Sequence, residues 1–114
     1  MSMYQRIVVY ITAPKSQAGS IARLLVEEKL AACVNIVENV KSVYWWKGKV
    51  EEDEESLLIV KTELGVLGRL VKRVKEIHPY EVPEIIALPI IGGNPDYLSW
   101  ITSSLGLGGE DDGE

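Results

Sequence analysis

Three stretches of this chain are apolar without a break: Ile7 to Ile11, Leu57 to Val60, and Ile85 to Ile91. A strand with one face in water alternates apolar and polar residues, so a continuous run predicts a strand buried on both faces. Each run is also bounded by turn residues, with Pro14 after the first and Gly92–Gly93 after the last. Whatever fold the chain adopts must therefore cover both sides of a sheet.

Helical patterns lie between these runs. Ile21, Leu24 and Leu25 share one face of a helix expected over about 16–30, with Ser16 as its cap and Arg23, Glu27 and Glu28 outside. Leu64, Leu67, Leu70, Val71, Val74 and Ile77 repeat at helical spacing, and Gly65 and Gly68 weaken the first turns by about 1 kcal/mol each. Cys33 to Val37 and Val40 to Trp46 read as one strand with a change of phase at Glu38–Asn39, which predicts a bulge. Lys47, Gly48 and Lys49 turn the chain back through Val50 to Thr62, so these two strands form a long hairpin. Asn94 as cap, Pro95 at the first helical position and Asp96 in the first turn announce a short last helix through Leu105. The order strand, helix, strand, strand, helix, strand predicts an α+β class fold: a ferredoxin-like βαββαβ sandwich with a long hairpin and a short C-terminal helix.

The length of 114 residues fits one domain, expected over 1–105, followed by a disordered, acidic, Gly-rich tail over 106–114. A net charge of −5 and a pI near 4.9 argue against nucleic acid as a partner. The chain shows neither a charged apolar leader nor an apolar run near 18 residues, which predicts no membrane partner and a cytoplasmic location. A single cysteine excludes an intrachain disulfide.

Two features predict self-association. Two helices cover one face of a four-stranded sheet, which leaves a second apolar face for a partner. Hairpin arms of about 14 residues reach roughly 45 Å at about 3.3 Å per residue, well beyond a compact subunit of this size. Tyr44, Trp45 and Trp46 at the hairpin end fit interface anchors or an aromatic ligand platform. The acidic run Glu51 to Glu55 then reads as edge protection or as a solvated loop.

The candidate site centres on HPYEVPE, His78 to Glu84, which holds the only histidine and two prolines that stop the helix before it. His78 could act as a general base, a metal ligand or a cap of the preceding helix. Cys33 is either a buried apolar side chain or a soft ligand for copper or zinc. No Ser–His–Asp motif, CxxC or HExxH is present, so no enzymatic reaction is specified.

Six motifs in order, LAACV at Leu30–Val34, YWWKGK at Tyr44–Lys49, IVKT at Ile59–Thr62, HPYEVPE, ALPI at Ala87–Ile90 and GNPDYLSWI at Gly93–Ile101, closely resemble the CutA family, named for divalent-cation tolerance. The resemblance covers about residues 5–105 and departs at Glu38, where many relatives carry proline. It implies a ferredoxin-like subunit, a homotrimer of the PII-like kind, and association with copper or other divalent cations without an agreed reaction. It also implies an intersubunit cleft, for which we expect Trp46, Lys61, His78, Tyr80 and Glu81, with Cys33 and His78 as metal ligands. No cofactor is required on this reading; Cu²⁺ or another divalent cation is the expected ligand, or else a small molecule, in a signalling or metal-homeostasis role. Two alternatives stay open: an enzyme using His78 as acid or base, and a structural trimer that docks a partner protein.

Overall fold

The computed structural model describes residues 5–107. Strand β1 (Arg6–Ala13) leads into helix α1 (Lys15–Glu27), and β2 (Cys33–Trp46) and β3 (Lys49–Glu63) form the hairpin. A 3₁₀ turn at Leu64–Val66 feeds α2 (Leu67–Ile77), then come β4 (Ile85–Pro89) and α3 (Pro95–Ser104). The sheet order is β2-β3-β1-β4 with every neighbouring pair antiparallel, which is the ferredoxin-like topology the element order predicts. Among the described residues no helix is long and apolar enough to cross a membrane.

One face of the sheet carries the core. Ile7, Val9 and Ile11 of β1 and Leu58 and Val60 of β3 meet Ile21 and Leu25 of α1 and Leu70 and Val74 of α2, all buried. Complete burial of each such side chain contributes about 1.5–3 kcal/mol. Helix α3 is fastened at the rim by polar bonds as well as by buried Ile101. Arg6 Nε donates to Thr102 Oγ1 at 2.9 Å, and the Thr102 hydroxyl in turn donates to Glu63, only 1% exposed, so a bridging hydroxyl links β1, β3 and α3.

The local chemistry explains the boundaries. Positive φ at both Lys47 (52°) and Gly48 (79°) makes the hairpin loop a two-residue turn of the I′ kind, whose twist matches that of the strands. Val37 pairs with Leu57 and Val40 with Glu55, so Glu38 and Asn39 together face Ser56, and Asn39 takes φ 64°; the expected bulge is there. Lys15 Nζ donates to Asn39 Oδ1 at 2.7 Å and ties the bulge to the start of α1. Asn94 caps α3 by accepting from the Asp96 N–H at 3.0 Å, with Pro95 at the first helical position as expected.

Three boundaries differ from expectation. The cap of α1 is Pro14 and not Ser16: the Pro14 carbonyl accepts from Gln17 and Ala18, which places Ser16 inside the first turn. The second helix opens as a 3₁₀ turn, in the stretch where Gly65 and Gly68 weaken the α-form. Strand β4 stops at Pro89 and does not reach Ile91; the Ile90 N–H still donates to the carbonyl of Arg6, the first residue of β1, at 3.0 Å, and Ile91 lies beyond the end of that strand. Gly106 and Leu107 still close α3, with the Gly106 N–H on Ser103 and the Leu107 N–H on Thr102. The rest of the expected tail, 108–114, lies outside the described residues.

Among the described residues, no helix covers the far face of the sheet. Tyr10, Ile59 and Ile86 form a row across β3, β1 and β4, and Val37, Ile86 and Leu88 are exposed there. Burial of both faces, expected from the continuous apolar runs, is therefore incomplete within one chain. The hairpin projects beyond the body: the chain measures 50 × 26 × 23 Å, with a radius of gyration of 15.1 Å, against about 13 Å for a compact chain of this size.

Candidate functional site

After the bulge, Ser42, Tyr44 and Trp46 of β2 and Glu55 of β3 all lie on the helix-free face, because β-strand side chains alternate and the bulge resets the phase. The HPYEVPE loop runs past the same face. Between them lies a cavity of about 580 Å³ whose walls include Tyr44, Trp46, Glu55, Tyr80, Glu81 and Glu84. That is within the ordinary range for a small-molecule site.

Tyr80 connects the loop to the hairpin. Its hydroxyl donates to Glu55 Oε1 at 2.8 Å, and Glu55 is only 6% exposed. Burial first, and then this bond to a carboxylate, push the Tyr80 phenol well above its ordinary range. Tyr44 makes the matching bond on the other wall by donating to Asp53. That bond is the main cause that pushes Tyr44 from 10.0 up to about 12.

His78 stands behind Tyr80, and it is buried. The Tyr80 N–H can only donate, so His78 Nδ1 accepts from it at 3.1 Å; Nε2 then carries the proton and donates to the Thr12 carbonyl at 2.7 Å. The rings of His78 and Tyr80 sit 4.6 Å apart. Both imidazole nitrogens are thus occupied, and His78 positions Tyr80 by pinning the loop to β1.

The residues expected from the sequence divide into three places. Trp46, Tyr80 and Glu81 line the cavity, with His78 in support behind them. Lys61 sits six residues from Glu55 along β3, roughly 20 Å away, where it pairs with Cys33 and donates to Asn35. Tyr97 of α3 lies beside that second group, its phenol pushed up by burial and then by Cys33. Cys33 and His78 do not converge on a metal position within one chain: Cys33 pairs with Lys61, whereas His78 rests on Thr12, opposite Leu57. No group of three His, Cys, Asp or Glu residues among the described residues is arranged to hold a metal ion. Sequence reasoning missed Glu55, which it placed in an acidic run read as edge protection or as a solvated loop. The available signal was phase: Glu55 lies two residues before Leu57 and so shares its face.

Comparison with known proteins places this fold and these motifs together. The family profile described as CutA1 divalent ion tolerance protein matches residues 7–104. The chain belongs to that family. Over 99 residues it is 56% identical to the protein named CutA 1, chloroplastic, of Oryza sativa, a match covering 86% of this chain and 56% of that one. It is 54% identical over 100 residues to the divalent-cation tolerance protein CutA of Thermus thermophilus, covering 87% and 97% of the two chains. The crystal structure of CutA1 from Oryza sativa superposes with a TM-score of 0.84 at 54% identity, covering 88% of this chain and 93% of that chain. The match spans little more than half the length of the chloroplastic CutA relatives of Oryza sativa and Arabidopsis thaliana.

Proposed function

We propose that this divalent-cation tolerance family member works as a homotrimer of the PII-like kind that takes a small ligand or a divalent cation at clefts between subunits, in a signalling or metal-homeostasis role. The observation that carries this reading is the cavity between the hairpin and the HPYEVPE loop. It opens on the one sheet face without helices, so a copy packed on that face would close it. The overhanging hairpin has the length to reach such a neighbour. In this arrangement Trp46, Tyr80 and Glu81 come from one subunit, and Lys61 approaches the cleft from another. Copper would likewise need more than one subunit, with Cys33 from one copy and His78 from the next, since within one chain their strand positions are four residues, or about 13 Å, apart along β3, and His78 would have to give up its bond to Thr12 or to Tyr80 to serve as a ligand.

Light scattering is expected to return three times the 12.7 kDa chain mass; a monomer at micromolar concentration would refute the cleft. Calorimetric titration with Cu²⁺ separates the two ligand types. Binding at micromolar affinity or tighter that weakens about tenfold or more in both Cys33→Ala and His78→Ala supports the metal site. Binding unaffected by either change removes those two residues from it.

A further inference from the structure

The cavity is one-sided in its chemistry. Within one chain, its walls among the described residues include Glu55, Glu81 and Glu84 and no lysine or arginine. The two tyrosine hydroxyls on it have already spent their protons, Tyr80 on Glu55 and Tyr44 on Asp53, so they face a ligand as acceptors. Glu55 carries the sharpest constraint. It is a nine-tenths buried carboxylate with Oε1 held by Tyr80, while no donor among the described residues reaches its other oxygen. That oxygen keeps contact with solvent, and a ligand N–H that replaces water on it makes a charge-assisted bond in a largely enclosed site.

The remaining wall is aromatic, with Trp46 and Tyr44 beside each other on β2. Trp46 already attracts a cation: Lys47 Nζ lies 5.7 Å from its ring centroid. A phosphate or carboxylate ligand would meet like charge at Glu55, Glu81 and Glu84, with only the neutral Thr12 and Ser42 hydroxyls to donate to it. A bare metal ion would leave most of 580 Å³ unfilled. An organic cation satisfies all three features at once.

We propose that this cavity receives a primary ammonium or guanidinium group on a small apolar or aromatic body, with an N–H on the free oxygen of Glu55 and the body against Trp46 and Tyr44. This rests on the reading above that the cavity is the ligand site. Glu81 and Glu84, both exposed, attract the cation at the rim, and their contribution is screened by salt.

The test uses three probes of one shape and different charge, 2-phenylethylammonium, 2-phenylethanol and phenylacetate, titrated calorimetrically into the full chain in its native assembly, in an amine-free buffer. The ammonium is expected to bind about tenfold or more tightly than either of the others. Glu55→Gln should erase that preference. Tyr80→Phe removes the phenol but leaves the carboxylate, and should keep the preference; equal loss in both variants would make Glu55 a structural residue and overturn the proposal. Phenylacetate or the alcohol binding as tightly as the ammonium, and losing affinity in Trp46→Ala, would keep the cavity as the ligand site but refute the cation. Absence of saturable binding by all three at millimolar concentration, with Trp fluorescence unmoved, would refute both.

Discussion

Tyr44 and Asp53 sit a diagonal apart on the hairpin, since Tyr44 pairs with Glu51 and Asp53 with Ser42. The phenol donates to the carboxylate, and a tyrosinate in that position would face Asp53, Glu51 and Glu55 as like charges. That is why the folded phenol ionises near 12 and not near 10.0. A group whose folded value is raised contributes stability that is complete below its unfolded value and is lost as pH rises through the folded one. The window here runs from about pH 10 to about 12. In a tyrosinate absorbance titration, the component lost in Tyr44→Phe should have its midpoint near 12, and Asp53→Asn should bring that component down towards 10. A midpoint already near 10 in the unaltered protein would mean that the bond does not persist in solution.

At the scale of elements, the hairpin depends on a turn that asks for φ > 0 twice, and the chain supplies glycine at only one of the two positions. Lys47 at φ 52° bears a strain that asparagine tolerates better. Lys47→Asn should therefore raise stability by about 0.5–1 kcal/mol, and Gly48→Ala, at φ 79°, should lower it by about 1 kcal/mol or more. Urea unfolding at fixed chain concentration measures both; an unchanged midpoint in Lys47→Asn would show the strain to be relieved elsewhere. Local features of this kind were legible in the sequence where residue type and geometry agree, as at the Asn94–Pro95 cap and the phase slip at Glu38–Asn39. They were illegible where a residue acts against type. Lys29, at φ 59°, ends α1 in a left-handed cap without glycine, with the N–H of Leu30 on the Leu25 carbonyl. The candidate site was half legible. HPYEVPE and YWWKGK mark two walls by composition, but the third wall, Glu55, and the partner of His78, Thr12, are 25 and 66 residues away from the loop residues they hold. Only the fold supplies such pairings.

At the scale of the whole molecule, one face of the sheet is left uncovered by the described residues. On it Tyr10 stands between Ile59 and Ile86, and Ile86 is 51% exposed on the edge strand β4. In one isolated subunit, a carboxylate at position 86 keeps access to water and should cost little. In the proposed trimer the same carboxylate would be enclosed by a neighbour's apolar surface, where an unpaired charge costs several kcal/mol. Ile86→Asp therefore discriminates between the isolated and assembled states, because it acts on assembly while sparing the core of the subunit. The expected outcome is a fall in scattering mass from three chains to one, together with a thermal midpoint that drops and no longer depends on protein concentration, as the midpoint of the assembled protein does. Loss of the cation preference in the same variant would show that the neighbour completes the cavity, whereas an assembly that survives Ile86→Asp unchanged would exclude the β4 edge from the contact and leave the hairpin to carry it alone.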